Sequence, residues 1–284
     1  MGEPDQAPHT GESDLLDWFG RCTRVLVAFS GGVDSALVVA AAARALGPAS
    51  VAAVTAVSES LPTGMLSAAR QLCADLGVHH SEIATREIDN PGYARNGPDR
   101  CYFCKATLID TVVNHGQLEA GTQLVTGTNA DDVRAGWRPG IRAAAERGVG
   151  TPLADVGMTK EEVRALSRRW GLPGSGRPAS PCLSSRVAYG VQITPARLAR
   201  VDTAEQAVRA VLTQAGVAVH DLRVRDLGER VRLEVDADSV ALARQAGAVQ
   251  TAIASAGFGG RPLEIAPFRS GSLNATLPAE LRFR

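Results

Sequence analysis

The amino-acid sequence predicts an α/β chain in which a doubly wound parallel sheet is followed by a smaller C-terminal α+β domain. Three observations predict it. Up to Trp170, apolar runs of strand length alternate with helix-length stretches, the order that builds a parallel sheet covered by helices. The first run, VLVAF at 25–29, is apolar throughout and rich in β-branched residues, as a strand buried on both faces must be. From Thr194 the order changes to helix, two alternating strands, helix and strand. The expected organisation is a disordered tail at 1–12, a main domain at 13–186 and a small domain at 187–284.

Composition narrows the function classes. The 284 residues carry 30 basic and 30 acidic side chains, so no polycationic surface argues for nucleic acid or a membrane. Residues 1–13 lack the basic start and apolar stretch of a secretory signal, and the longest apolar run, 36–43, is too short to span a bilayer. Five cysteines, an odd number, point to a reducing cytoplasm and to metal or nucleophile chemistry rather than disulfides. Nearly all the basic residues are arginines, Lys105 and Lys160 being the only lysines.

Taken in order, residues 14–22 form a short helix that turns Leu15, Leu16, Trp18 and Phe19 toward the sheet. Residues 50–57 (SVAAVTAV) make a second buried strand. Residues 63–76 make a helix with Leu66, Ala69, Leu72, Cys73 and Leu76 on one face, so Cys73 is a core residue, as is Cys22. A third strand covers 79–84, where His79 and His80 are strand-edge residues without a partner at ligand spacing. A turn-rich loop, 90–100, delivers Cys101-Tyr102-Phe103-Cys104-Lys105 onto a helix ending near Asn114. A fourth strand at 123–126 leads into GTNADD at 127–132, and Arg134, Trp137, Arg138 and Pro139 extend that rim. Thr159 and Glu162 form a capping box for a helix through Trp170. GLPGSGRPASP at 171–181 is a boundary or active-site loop that presents Cys182. In the last third, helices cover 194–216 and 238–256 and strands cover 222–224, 230–235 and 262–266. A ferredoxin-like split βαβ arrangement is expected there.

The chemistry starts at Ser30-Gly31-Gly32-Val33-Asp34-Ser35, between the first strand and an Ala/Leu/Val helix. Adjacent glycines let backbone N–H groups approach an anion, and the helix adds free N–H groups and a positive dipole end. Ser30 and Ser35 can donate to phosphate oxygens, and Asp34 can hold a magnesium ion. The spacing fits neither the Walker loop nor GxGxxG. It resembles the SGGxDS loop of the PP-loop ATP pyrophosphatases (adenine nucleotide alpha hydrolase-like), which release pyrophosphate and leave AMP on a substrate. In a doubly wound sheet ligands sit beyond the carboxyl ends of strands, where this loop and GTNADD both fall.

Further pieces narrow the resemblance. SGGVDSAL (30–37), RCYFCK (100–105), GTNADD (127–132), RPG (138–140), TKEEVR (159–164), RPASPCLSSR (177–186) and RSGSLN (269–274) occur in the order found in the LarE family of ATP-dependent sulfur transferases. The resemblance implies adenylation of a carboxylate of pyridinium-3,5-biscarboxylic acid mononucleotide, then replacement of the adenylate by sulfur, in nickel-pincer nucleotide synthesis. It implies ATP and Mg2+ at Ser30, Gly31, Gly32, Asp34 and Ser35, with Gly127 and Asp131 supporting the nucleotide. Cys182 stands where the family's sulfur-bearing cysteine stands, and RSGSLN is expected to pack against the rest of the protein. The family supplies sulfur in two ways. A lone cysteine gives up its own sulfur and becomes dehydroalanine, or three cysteines hold a [4Fe–4S] cluster. Cys101, Cys104 and Cys182 suggest the cluster, whose alternative is that Cys101 and Cys104 are plain helix residues. A homo-oligomer, with a hexamer among the suggested forms, is also implied.

Arg186, Lys105 and Arg223 are candidates for a substrate anion. Arg186 reads equally as a loop salt bridge, and Lys105 and Arg223 as surface charges. Tyr102 and Phe103 read as helix packing. Two other enzyme classes share the loop. A tRNA-thiolating enzyme would use the cysteines but lacks a basic stripe here. Non-sulfur amidotransferases and synthetases, like a non-catalytic nucleotide sensor, leave the three cysteines unexplained.

Overall fold

The computed structural model describes residues 10–116, 118–136, 138–174, 176 and 182–277. Trp137 and residues 175 and 177–181 of the expected active-site loop lie outside the described residues. In chain order the elements are α1 (Thr10–Gly20), β1 (Arg24–Ala28), α2 (Val33–Leu46), β2 (Val51–Val57), α3 (Met65–Asp75) and β3 (His79–Ala84). Next come α4 (Pro91–Ala94), α5 (Arg100–Asn114), β4 (Thr122–Val125), α6 (Ala130–Arg134), α7 (Pro139–Ala145), α8 (Pro152–Asp155) and α9 (Lys160–Arg169). The last third holds α10 (Pro195–Gln214), β5 (Leu222–Asp226), β6 (Val231–Val235), α11 (Val240–Gln245), α12 (Gly247–Ile253) and β7 (Leu263–Pro267). Residues 10–12 of the expected tail are therefore helical. No helix among the described residues is long and apolar enough to cross a membrane.

Two compact units emerge, one within 1–57, 64–85 and 105–177, the other within 58–63, 86–104 and 178–284. The first holds a parallel sheet in the order β3-β2-β1-β4, with Val25 beside Val51 and Gln123, and Ala52 beside His79. Side chains of β1 alternate between two cores. Val25 and Val27 pack with Leu37, Val38 and Leu15 on one face; Leu26 and Ala28 pack with Ile109, Val112 and Leu124 on the other. Each such large side chain taken out of water contributes about 1.5–3 kcal/mol. This is the doubly wound sheet that the unbroken apolar run predicts. Strand order reverses between β1 and β4, which brings the loops after both strands to one crevice.

In the second unit β5 pairs antiparallel with β6, and β6 pairs parallel with β7. The strands joined by α11 and α12 are direct neighbours, so the split βαβ arrangement expected from the sequence does not occur. The single helix expected at 238–256 also divides. Ala246 takes an extended conformation (φ −78, ψ 97) between α11 and α12, and Gly257 (φ 97) closes the following turn in a left-handed conformation that favours glycine. Helix α10 buries Leu198, Val201, Ala204, Val208 and Leu212, a stripe at three- and four-residue spacing. The late RSGSLN piece packs within this unit. Leu273 and Leu277 are buried, and Tyr189 Oη donates to Asn274 Oδ1 at 3.3 Å.

Candidate active site

In the first unit the loop between β1 and α2 is held by its own hydroxyls. Ser35 Oγ donates to the Gly32 carbonyl at 3.0 Å and lies 3.1 Å from Ser30 Oγ. No side chain caps α2, whose N-cap is Gly32, so the first N–H groups of the helix keep their capacity for an anion. Gly31 has φ +75, and a Cβ there would sit 3.1–3.2 Å from Met65. At Gly127 the constraint is tighter: a Cβ would lie 2.6 Å from the Ser35 nitrogen. The loop after β4 is thus pressed directly on the start of α2, which only glycine allows.

The Asp34 carboxylate, 22% exposed, forms an ion pair with Lys160 and accepts from Asn129 Nδ2 at 3.2 Å. Lys160 is the first residue of α9, and its backbone N–H donates to Asp131 Oδ2 at 2.8 Å. Asp34, Asn129, Asp131 and Lys160 therefore tie three loops together around the helix start. Composition makes Lys160 conspicuous as one of two lysines, but its approach to Asp34 depends on tertiary structure and has no local signal. A single partly exposed carboxylate suits magnesium, which commonly reaches a protein through one or two carboxylates and substrate phosphates. Lys105, by contrast, lies in the second turn of α5 and belongs to the first unit.

The cysteines of interest lie in the second unit. Cys101 and Cys104 occupy the first turn of α5, three residues apart and so on one face. Cys104 Sγ lies 4.0 Å from Glu87 Oε1, which also accepts from Ser58 Oγ at 2.8 Å and Ser60 Oγ at 3.3 Å. Cys182 precedes a single 3-10 turn, Leu183–Arg186, and a dense network fixes that turn. Tyr93 Oη and Ser184 Oγ share a hydrogen bond, and Arg100 Nη1 donates to the Ser184 carbonyl at 3.0 Å and to Asn96 Oδ1 at 2.5 Å. Asn96, fully buried in a left-handed conformation (φ 58), donates in turn to the Ala188 and Val191 carbonyls. Burial, then the neighbouring Cys182, pushes the Tyr93 hydroxyl pKa up, so it stays neutral. Burial opposes the charge on Arg100, but Cys101, Cys182, Tyr189 and Tyr93 together outweigh it and raise its pKa.

Among the described residues no group of three or more His, Cys, Asp or Glu side chains is placed to hold a metal ion. The cluster suggested by Cys101, Cys104 and Cys182 thus has no support among the described residues, although Cys101 and Cys182 both act on Arg100, and Cys104 and Cys182 both act on Tyr93. The anion candidates are placed as follows. Arg186 is buried, pairs with Glu205 Oε1 at 3.0 Å, and donates to the Cys182 carbonyl at 3.2 Å. That is the salt-bridge alternative, here also bracing the cysteine. Arg223 is buried rather than a surface charge, and burial together with Arg186 lowers its pKa to about 10. Cys73 is buried as expected, and burial raises its thiol to about 11. Sequence reasoning passed over Tyr93, Asn96, Arg100 and Glu87, whose neighbours in space are distant in sequence.

A parallel sheet ordered 3-2-1-4, with SGGVDS leading from its first strand into a helix, defines a PP-loop ATP pyrophosphatase. The NAD synthase family model matches residues 20–97, the segment that carries this loop. An uncharacterized protein of Synechocystis is 38% identical over 267 residues, covering 93% of this chain and 97% of its own length. The pyridinium-3,5-bisthiocarboxylic acid mononucleotide synthase of Lactiplantibacillus plantarum is 30% identical over 262 residues, covering 89% of this chain and 90% of that protein. An uncharacterized protein of Methanocaldococcus jannaschii is 25% identical over 217 residues, 76% of this chain and 79% of its own. The chain belongs to the LarE-like family of PP-loop enzymes, to which that synthase belongs.

Proposed function

We propose that this protein is an ATP-dependent sulfur transferase that adenylates a carboxylate of pyridinium-3,5-biscarboxylic acid mononucleotide and converts it to a thiocarboxylate. The observation that carries the reading is the 30% identity with the named synthase across 90% of its length, which spans both the ATP loop and the Cys182 turn. The NAD synthase match covers only the ATP-binding third and supports ATP use without choosing an acceptor.

In this reading Ser30, Gly31, Gly32 and Ser35 hold the β- and γ-phosphates through N–H and hydroxyl donors while a substrate carboxylate oxygen attacks the α-phosphorus. Pyrophosphate leaves, and the carboxylate becomes a mixed anhydride with AMP. Asp34 would hold magnesium, which neutralises phosphate charge when bound. Lys160 and Asn129 keep that carboxylate oriented, and Gly127 and Asp131 support the nucleotide. Sulfur then displaces AMP from the acyl carbon. Cys182, which stands where the family's sulfur-bearing cysteine stands, is taken as the sulfur donor, with a cluster at Cys101, Cys104 and Cys182 as the alternative source. Its thiolate forms a thioester as AMP departs, and cleavage of its Cβ–S bond, with loss of the α-proton, leaves a thiocarboxylate and dehydroalanine. Arg186 and the Tyr93–Ser184–Arg100 network position the cysteine turn, and Arg223 and Lys105 are the remaining candidates for a substrate anion.

Pyrophosphate release distinguishes the acceptor classes. It should appear with ATP, Mg2+ and the biscarboxylate nucleotide, and not with tRNA or with nicotinic acid adenine dinucleotide plus ammonia. Release stimulated by tRNA or by the amide-forming pair, and not by the biscarboxylate, would replace this reading.

A further inference from the structure

The second unit contains a concentration of positive charge that the proposed reaction does not use. Asp226, at the end of β5, is fully buried and is paired with three arginines at once. Arg197 Nη1 lies 2.6 Å and Arg200 Nη2 3.0 Å from Oδ2, and Arg261 Nη1 lies 3.3 Å from Oδ1. Gly228 N–H also donates to Oδ1 at 3.0 Å. Among the described residues no other carboxylate pairs with any of these arginines. Three cations on one anion leave an excess of two positive charges.

Local structure makes that excess costly. Arg197 and Arg200 lie three apart near the start of α10, where the helix dipole is positive and disfavours cations, and no acidic residue stands in its first turn. The Nε atoms of both are buried with no hydrogen-bond partner. Arg200 and Arg261 both lie over the Phe258 ring, at 4.7 and 5.6 Å from its centroid. A staple for Asp226 needs one arginine; a second and a third add mutual repulsion. Yet the three side chains remain 21%, 22% and 26% exposed, so a solute can reach them.

We propose that Arg197, Arg200 and Arg261 form a binding site for a phosphate-type oxyanion, separate in its residues from the loop at 30–35. Oriented guanidinium forks suit a tetrahedral anion with several acceptor oxygens. Phosphate or pyrophosphate free in solution, or the phosphate of a mononucleotide, would supply the same chemistry. The inference stands whether or not the proposed reaction is correct.

Arginine-specific labelling with phenylglyoxal, mapped by mass spectrometry on the full-length protein, tests it without a mutation. Phosphate, pyrophosphate and AMP are added separately at constant ionic strength set with chloride. Protection of Arg200 and Arg261 by any of the three supports the site, and the most effective one identifies the source. Labelling of these arginines unchanged at saturating levels of all three, or reduced equally by chloride alone, overturns it. Arg261→Gln removes the longest of the three contacts and should weaken the protecting anion's calorimetric affinity by about tenfold, the loss of one charge-assisted contact, with the unfolding midpoint little changed. Unchanged affinity in a folded Arg261→Gln protein counts against the site, and if that variant does not fold the wild-type labelling decides alone.

Discussion

Asp34 carries two demands that pull apart. As a free carboxylate it could hold magnesium, but Lys160 and Asn129 already engage it. The reconciliation is a carboxylate kept in place by a cation until ATP brings a metal. Asp34→Asn keeps the shape and removes the charge, so substrate-dependent pyrophosphate release should fall by about 10²–10³. Release near the wild-type rate would remove Asp34 from the metal's coordination. Gly127 makes a harder steric test. A Cβ there would lie 2.6 Å from the Ser35 nitrogen, and backbone cannot yield as a flexible side chain can. Gly127→Ala should cost about 1–3 kcal/mol in denaturant unfolding and weaken ATP binding together. The loop strings at 30–35 and 127–132 were legible in sequence because their chemistry is local. Lys160 against Asp34, and Arg100 against the Ser184 carbonyl, were not, since each contact joins segments separated by 126 and 84 residues.

At the scale of elements, α9 shows how a short local signal fixes an end of the fold. Thr159 and Glu162 form the reciprocal capping box that their spacing predicts, and the backbone N–H and hydroxyl of Thr159 hold the Glu162 carboxyl below its usual range. Thr159→Ala should therefore cost about 1 kcal/mol. Because the folded carboxyl titrates lower than the unfolded one, this stabilisation is present above the unfolded value of 4.5 and disappears as pH falls through the folded value. A comparison of wild-type and Thr159→Ala unfolding midpoints at pH 7 and in acid should show the gap narrowing. A gap that holds constant would mean that the Thr159 hydroxyl does not stabilise the Glu162 carboxylate, since the backbone N–H bond survives in the variant. The first two parallel strands were legible for a similar reason, each being a compact apolar run. The break at Ala246 was passed over although Gly247 follows it, because an isolated glycine inside a helical pattern is tolerated and does not by itself end a helix.

For the whole molecule, the two units divide the chemistry: the phosphate loop belongs to the first, and Cys101, Cys104 and Cys182 to the second. A variant that loses the sulfur step should therefore keep the activation step. Cys182→Ala should release pyrophosphate and accumulate the acyl adenylate while making no thiocarboxylate. Cys101→Ala/Cys104→Ala should still make it if Cys182 alone supplies the sulfur, and should lose it if the three cysteines hold a cluster. The central claim is that one chain both activates a carboxylate and gives it sulfur. Mass spectrometry of a single reaction, containing the wild-type protein, ATP, Mg2+ and the biscarboxylate nucleotide, tests it most directly. The account predicts AMP, a product in which one oxygen is replaced by sulfur, and a protein lighter by the mass of hydrogen sulfide at Cys182. Absence of both adenylate and thiocarboxylate would contradict the account, and a thiocarboxylate formed with Cys182 intact would contradict its assignment of the sulfur donor.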